Sequence, residues 1–195
     1  MTDRRAGLVL AGGFSTRFGD ADKAVADYDG EPMVRRVVDR LSRVTDGVVV
    51  NCRAEQVPAL REALAGRDDV ALAVDPAPDA GPMAGIWAGL RVIRAPYTAV
   101  VACDMPAVDP AFLELLFERA AGHDGALVRT DDGWFQTTQA VYRTEAMRAG
   151  CEAALGGDDA RILAALDGLA LTELTEDEVP DMRTFTDVNE QDDLQ

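Results

Sequence analysis

Lys23 is the only lysine in this chain; every other basic side chain among its 19 Lys+Arg is an arginine. It closes the stretch GGFSTRFGDADK, in which Gly12, Gly13 and Gly19 let the backbone approach a ligand and turn amides towards phosphate oxygens. Ser15 and Thr16 add hydroxyl donors, Arg17 offers a bidentate fork, and Lys23 adds a compact point charge. The chemistry these residues could do is the binding and neutralisation of phosphate. Two familiar phosphate loops do not fit: no Gly-Lys-Ser/Thr follows, and the second strand ends in Asn51 where a dinucleotide fold needs an acid for the ribose. A glycine-rich strand-to-helix junction can be merely a turn. A lysine kept only there favours a site that the planar guanidinium does not fit.

Asp104 ends the apolar run YTAVVACD and is followed by Met-Pro. Burial would make that charge costly, so it is expected either exposed at the sheet edge or bound to a cation. Mg²⁺, which takes one or two carboxylates and completes its shell with phosphates and waters, suits one strand-end aspartate. Asp75, which ends another apolar run, can accept hydrogen bonds from a base or ribose, or be a turn residue in VDPAPDAGP.

The elements that must position these groups follow from hydrophobic period. Strands are expected at Leu8–Ala11, Val48–Val50, Val70–Val74 and Tyr97–Cys103, with helices between them. Met33, Val34, Val37, Val38, Leu41 and Val44 form one helical stripe, VPALREALAG is a helix ended by Gly66, and GPMAGIWAGLRVI starts one with Pro82 in its first turn. Asp109 is expected to cap PAFLELLFERAAG. Beyond it, strands are expected at Ala126–Arg129 and Phe135–Arg143, helices at 144–155 and 158–166, a short strand at 182–188 and a helical turn in NEQDDL. The pattern is α/β: one domain over residues 1–195, a Rossmann-like three-layer sandwich around a mostly parallel sheet. Strand ends then deliver the glycine loop, Asn51, Asp75 and Asp104 to one crevice, where open parallel sheets bind ligands.

Composition narrows the ligand classes. The formal charge of −16 repels nucleic acid and anionic membrane surfaces, so neither is an expected partner. Dispersed acids with arginine in place of lysine resemble the proteome of a salt-loving microbe. The longest apolar runs fall far short of a membrane span, and MTDRRAG is not a secretion signal, so a cytoplasmic protein is expected. Cys52, Cys103 and Cys151 are too few and too far apart for a disulfide framework or a zinc site and should be buried thiols. His123 is expected at the surface or a helix C-cap, and Trp87 and Trp134 in packing.

LAGGFSTRFGDADK followed by DGEPMV resembles the signature of the molybdenum cofactor guanylyltransferases, within the nucleotidyltransferases that share a glycosyltransferase-A-like sheet. DAGPMAGIWAGL, ACDMP and FTDVNEQDDL resemble, in order, that family's later motifs, and the likeness spans nearly the whole chain. It implies transfer of GMP from GTP to the terminal phosphate of molybdopterin, with release of pyrophosphate and dependence on Mg²⁺. Carried over position by position, Leu10, Ala11 and Gly12 hold the base through the main chain. Gly13, Ser15, Lys23, Asn51 and Asp75 contact the nucleotide, Asp104 binds both GTP and metal, Asp187 is a second metal ligand, and Lys23, Arg17 and Asp104 support catalysis. Asn189 would line the same crevice. Gly12-Gly13 leans towards GTP, since relatives that use CTP tend to read Leu-Ala-Ala-Gly. Transient contact with cofactor-biosynthesis proteins or molybdoenzymes is also implied. One segment departs: QTTQAVY at 136–142 stands where the family reads Gln-Pro-Leu-Phe-Ala-Leu-Tyr, and it is expected towards the acceptor side. Two alternatives stay open, a related nucleotidyltransferase using another phosphorylated acceptor (cobinamide, sugar or lactate phosphate) or CTP, and a non-catalytic GTP-binding module.

Overall fold

A computed structural model describes residues 4–13, 22–76, 81–157 and 161–189. The first half alternates strand and helix, as its hydrophobic pattern predicts: β1 (Arg5–Leu10), α1 (Met33–Leu41), β4 (Val48–Cys52), α2 (Val57–Ala63), β5 (Val70–Val74), α3 (Gly81–Val92) and β6 (Tyr97–Ala102). A two-stranded hairpin, β2 (Asp27–Tyr28) with β3 (Glu31–Pro32), precedes α1. The second half runs α4 (Pro110–Ala120), β7 (Gly125–Val128), β8 (Gln139–Arg143), α5 (Thr144–Leu155), α6 (Ile162–Leu166) and β9 (Leu171–Leu174). The main sheet has the order β5-β4-β1-β6-β8-β7-β9; only β8 runs against its neighbours.

Alternate residues of each strand bury opposite faces. Val9, Val50, Val101 and Val141 pack under α1, α2 and α4 against Val37, Leu41, Leu60, Phe112 and Leu116. Leu8, Val49, Val100 and Tyr142 pack on the other face against Met83, Ile86 and Leu90 of α3 and Met147 and Cys151 of α5. The result is the expected three-layer sandwich. Asp109 caps α4 by accepting from the amide of Ala111 at 2.9 Å, and Gly66 ends the turn after α2 with φ +81°.

In the second half two expectations change, one strand was not expected, and two segments are only partly described. Residues 182–188 do not form a strand. Asp181 accepts from the amide of Arg183, and Met182–Phe185 winds into a 3-10 turn, because that short side chain offers the backbone a local partner in place of a ladder. The strand expected from Phe135 begins only at Gln139. Between the pairs Ala126↔Val141 and Arg129↔Phe135, β7 advances 3 residues while its partner advances 6, so Thr137 and Thr138 lie in a bulge. β9 was not expected, since LTEL is a four-residue edge strand with little alternation. In the 158–166 helix the described part begins at Ile162, and of NEQDDL only Asn189 is among the described residues.

Candidate active site

The parallel strands β1, β4, β5 and β6 end at one edge, and their ends bring the polar residues together. Asn51 is 2% exposed; its amide donates to Asp75 at 2.6 Å and to the carbonyl of Ala73 at 3.3 Å. Asn51 thus spends its donors inside the protein and fixes Asp75. Burial raises the pKa of Asp75, opposed by the hydrogen bond from Asn51 and the charge of Arg53. Space here is tight enough to require glycine. A Cβ on Gly12 would stand 2.5 Å from Asp75 Oδ2 and 3.0 Å from Asn51 Oδ1, and one on Gly85 of α3 would collide with Asn51 Oδ1. The glycine of the GPMAG segment therefore makes room for the asparagine from β4.

Lys23 lies at the far end of the glycine loop, in a 3-10 turn (Lys23–Val25) capped by the side chain of Asp22. Its ammonium donates to Asp104 Oδ2 at 3.0 Å and to Asn189 Oδ1 at 3.2 Å, and its side chain is 12% exposed. Asp104 sits just past β6; its carbonyl accepts from the amide of Val188 at 2.9 Å, which lays the chain end across it. Asp187 is exposed as a residue, yet surrounding atoms remove enough water to raise its carboxyl pKa. The charge of Asp104 raises it further, against the lowering effect of Lys23. The two carboxylates therefore feel each other beside one cation.

Leu10, Ala11, Gly12 and Gly13 run off the end of β1 in the expected place, with the amide of Ala11 bonded to the carbonyl of Asn51 and the carbonyl of Leu10 to the amide of Cys103. Ser15, Arg17 and Gly19 lie outside the described residues. Two residues in the turn after β4 were not singled out by the sequence reading. Arg53 donates to the carbonyls of Gly12 and Gly13 at 2.8 and 2.7 Å, and Gln56, buried, donates to the carbonyl of Ala11 at 2.9 Å and to Asp22 at 3.0 Å. A 3-10 turn (Ala54–Gln56) thereby holds the glycine loop at both ends. The available signal was NCRAEQ, a polar cluster directly after a strand that already ended in a site residue.

Other side chains sort themselves by burial. Cys52, Cys103 and Cys151 are free and buried, and burial with the charge of Asp104 pushes the Cys103 thiol up to about 12, so it is not a nucleophile. His123 is exposed after α4. Trp87 packs as expected, donating to Glu152 and stacking with Arg91, but Trp134 is 68% exposed on the β7–β8 hairpin and does not pack in the core. Gln139 corrects the placing of QTTQAVY: its side chain is fully buried and donates to Thr184 at 2.6 Å, so only Gln136, Thr137 and Thr138 of this segment remain half-buried. Among the described residues no helix is long and apolar enough to cross a membrane.

Residues 7–171 match the family model described as the MobA-like NTP transferase domain. The chain belongs to that family. It is 47% identical over 98% of its length, and 95% of the relative's, to a protein from Natronomonas pharaonis named probable molybdenum cofactor guanylyltransferase. A Haloferax mediterranei protein with the same name is 36% identical over 97% of this chain and 91% of its own. Among solved structures, molybdopterin-guanine dinucleotide biosynthesis protein A from Archaeoglobus fulgidus superposes with a TM-score of 0.74 at 26% identity, covering 97% of this chain and 94% of that one. A nucleotidyl transferase from Methanothermobacter, at 20% identity and a TM-score of 0.77, shares the fold. The Natronomonas relative is haloarchaeal, which fits the acidic, lysine-poor composition of this family member.

Proposed function

We propose that this chain transfers GMP from GTP to the terminal phosphate of molybdopterin and releases pyrophosphate. The observation that carries the reading is the Lys23–Asp104 pair at the end of β6, reached from the glycine loop on one side and from Asn189 on the other. The names of relatives that match nearly the full length support the choice of nucleotide and acceptor.

In the reaction an oxygen of the acceptor phosphate attacks the α-phosphorus of GTP in line. The new P–O bond forms as the bond to pyrophosphate breaks, and the electron pair leaves with pyrophosphate. A phosphate oxygen is already a nucleophile at neutral pH, so no general base is needed, in keeping with a site that contains no histidine among the described residues. The protein's contribution is orientation and charge. Leu10, Ala11 and Gly12, whose carbonyls are held by Cys103, Gln56 and Arg53, would present the amide of Gly12 to the base, and Asp75, held by Asn51, would accept from it. Gly13, Ser15 and Arg17 would line the triphosphate, and Lys23 would offset the charge that grows on the leaving group.

Mg²⁺ fits the donor set. Among the described residues no group of three or more His, Cys, Asp and Glu side chains could form an all-protein cage, whereas Asp104 with Asp187 supplies the one or two carboxylates that Mg²⁺ combines with substrate oxygens and water. When bound it would neutralise charge on the triphosphate. The buried thiols suit a cytoplasmic site of action, where the resemblance also implies transient contact with cofactor-biosynthesis proteins or molybdoenzymes.

The test is pyrophosphate release from GTP, CTP, ATP and UTP, each with molybdopterin, with cobinamide, sugar or lactate phosphate, and with no acceptor. Release that requires both GTP and molybdopterin is expected. Release with another phosphorylated acceptor and not with molybdopterin would move the assignment to a sister transferase, and binding of GTP with no turnover on any acceptor would make the chain a nucleotide-binding module.

A further inference from the structure

Gln139 is a polar residue in an apolar place. It is fully buried on β8, paired with Val101 of β6, on the face that carries Val141, Phe112 and Leu116. Its Nε2 donates to Thr184 Oγ1 at 2.6 Å, and among the described residues its Oε1 has no partner. A buried amide that leaves one polar atom unmatched is a poor way to stabilise a core, and an apolar side chain of similar size would fill the position better. In the motif this segment resembles, the position is Phe. The amide is therefore held for what it bonds.

What it bonds leads to the site. Thr184 is 1% exposed, and its hydroxyl oxygen also accepts from the amide of Asp109 at the start of α4, at 2.9 Å. Thr184 belongs to the 3-10 turn Met182–Phe185, whose Phe185 ring packs edge-on against Phe112. Two residues after that turn comes Asp187; then the amide of Val188 bonds the carbonyl of Asp104, and Asn189 accepts from Lys23. We propose that the buried Gln139–Thr184 pair is a latch that anchors the 186–189 segment across Asp104, so that Gln139 and Thr184 are positioning residues for Asp187, Asn189 and, through Asn189, the ammonium of Lys23. The latch ties a strand, a helix start and the closing segment at one hydroxyl, and neither of its members touches the crevice. Its catalytic consequence rests on the guanylyl-transfer reading; the anchoring does not.

The experiment measures amide hydrogen exchange at Val188 in the full chain by NMR, together with kcat and KM for GTP, in Gln139→Met, Thr184→Val and Thr184→Ser. Both variants that remove the bond are expected to speed exchange at Val188 roughly tenfold while the amides of β1 and β6 stay protected. Their kcat is expected to fall by a similar factor with KM for GTP within about twofold, and Thr184→Ser, which keeps the hydroxyl, should restore both. Wild-type exchange at Val188 in Gln139→Met and Thr184→Val would overturn the latch. So would loss of protection throughout β1 and β6 in both, since the pair would then hold the fold and not the segment. Faster exchange with unchanged kcat would overturn the catalytic role. If the wild-type chain transfers no nucleotide, exchange at Val188 still decides the anchoring, and only the functional reading falls.

Discussion

Gly12→Ala puts the geometry of the nucleotide crevice to a quantitative test. The added methyl would sit 2.5 Å from Asp75 Oδ2 and 3.0 Å from Asn51 Oδ1, and contacts under 3.0 Å are essentially never made by real Cβ atoms. Asp75 must therefore retreat by about 0.5 Å or more, but its other oxygen is held at 2.6 Å by Asn51, which is wedged against Gly85 and bonded to the carbonyl of Ala73. Either the glycine loop lifts or the Asn51–Asp75 bond stretches. Overpacking of this kind costs about 1–3 kcal/mol, reduced by about 0.4–1 kcal/mol because alanine stiffens the unfolded chain. The net loss, at most about 2.6 kcal/mol, corresponds to a fall in Tm of up to about 10 °C for a chain of this size. Misplacing the base contacts should raise KM for GTP by at least about tenfold. Calorimetry and steady-state kinetics read the two effects. Gly13→Ala is the stability control, because its methyl would meet nothing within 4 Å among the described residues, and its Tm should equal that of wild type or rise by up to about 4 °C. A Gly12→Ala protein with wild-type Tm and wild-type KM for GTP would show that Gly12 is not packed against Asp75 in the nucleotide crevice.

Three further outcomes follow from the same contacts. Burial raises the pKa of Asp75, so its charged form opposes folding, and the fold regains stability only as pH falls through that raised value. Asp75→Asn, which can still accept from Asn51, should therefore be at least as stable as wild type at pH 7, with the advantage vanishing in urea titrations below pH 4, while its affinity for GTP drops about tenfold or more. Arg53→Ala removes both bonds to the carbonyls of Gly12 and Gly13 and should raise KM for GTP by about 5–50-fold; an unchanged KM in kinetic assays would show that the clamp does not set the loop. With a formal charge of −16, the fold should gain several degrees of Tm between about 0.1 and 1 M KCl as the Debye length shrinks from about 10 to 3 Å, and a Tm that falls with salt would remove the link to a saline habitat.

The parallel half of the sheet was legible because β1, β4 and β6 are apolar runs that end in polar residues, with helices of clear 3.6-residue period between them. The convergence of Gly12, Asn51, Asp75, Lys23 and Asp104 followed from those strand ends. Arg53 and Gln56 escaped notice because their role is to bond main-chain carbonyls, and a contact to backbone leaves no partner residue in the sequence to match. The strand expected at 182–188 failed where Asp181 captured a backbone amide and where Thr184 was needed to reach β8. Gln139 drew attention as a departure from the motif, but its polarity suggested the crevice when its place is the core: alternation along β8 turns it towards Thr184, and the bulge at Thr137 and Thr138 resets the register before it. That the amide of Asn51 would bond Asp75 and Ala73 was not legible either, because nothing in the sequence pairs a strand-end asparagine with an aspartate 24 residues on.

The most direct test of the central claim, that a lysine reached from the glycine loop and an aspartate from β6 form the transfer centre, is the formation of guanine dinucleotide from GTP and molybdopterin by wild type, Lys23→Ala, Lys23→Arg and Asp104→Ala, each first shown to be folded. Wild type should turn over, and all three variants should lose at least about 100-fold in kcat, Lys23→Arg included, because a planar fork does not reproduce a compact ammonium 3.0 Å from Asp104 and 3.2 Å from Asn189. Wild-type turnover by Lys23→Ala or Asp104→Ala would place the transfer centre elsewhere.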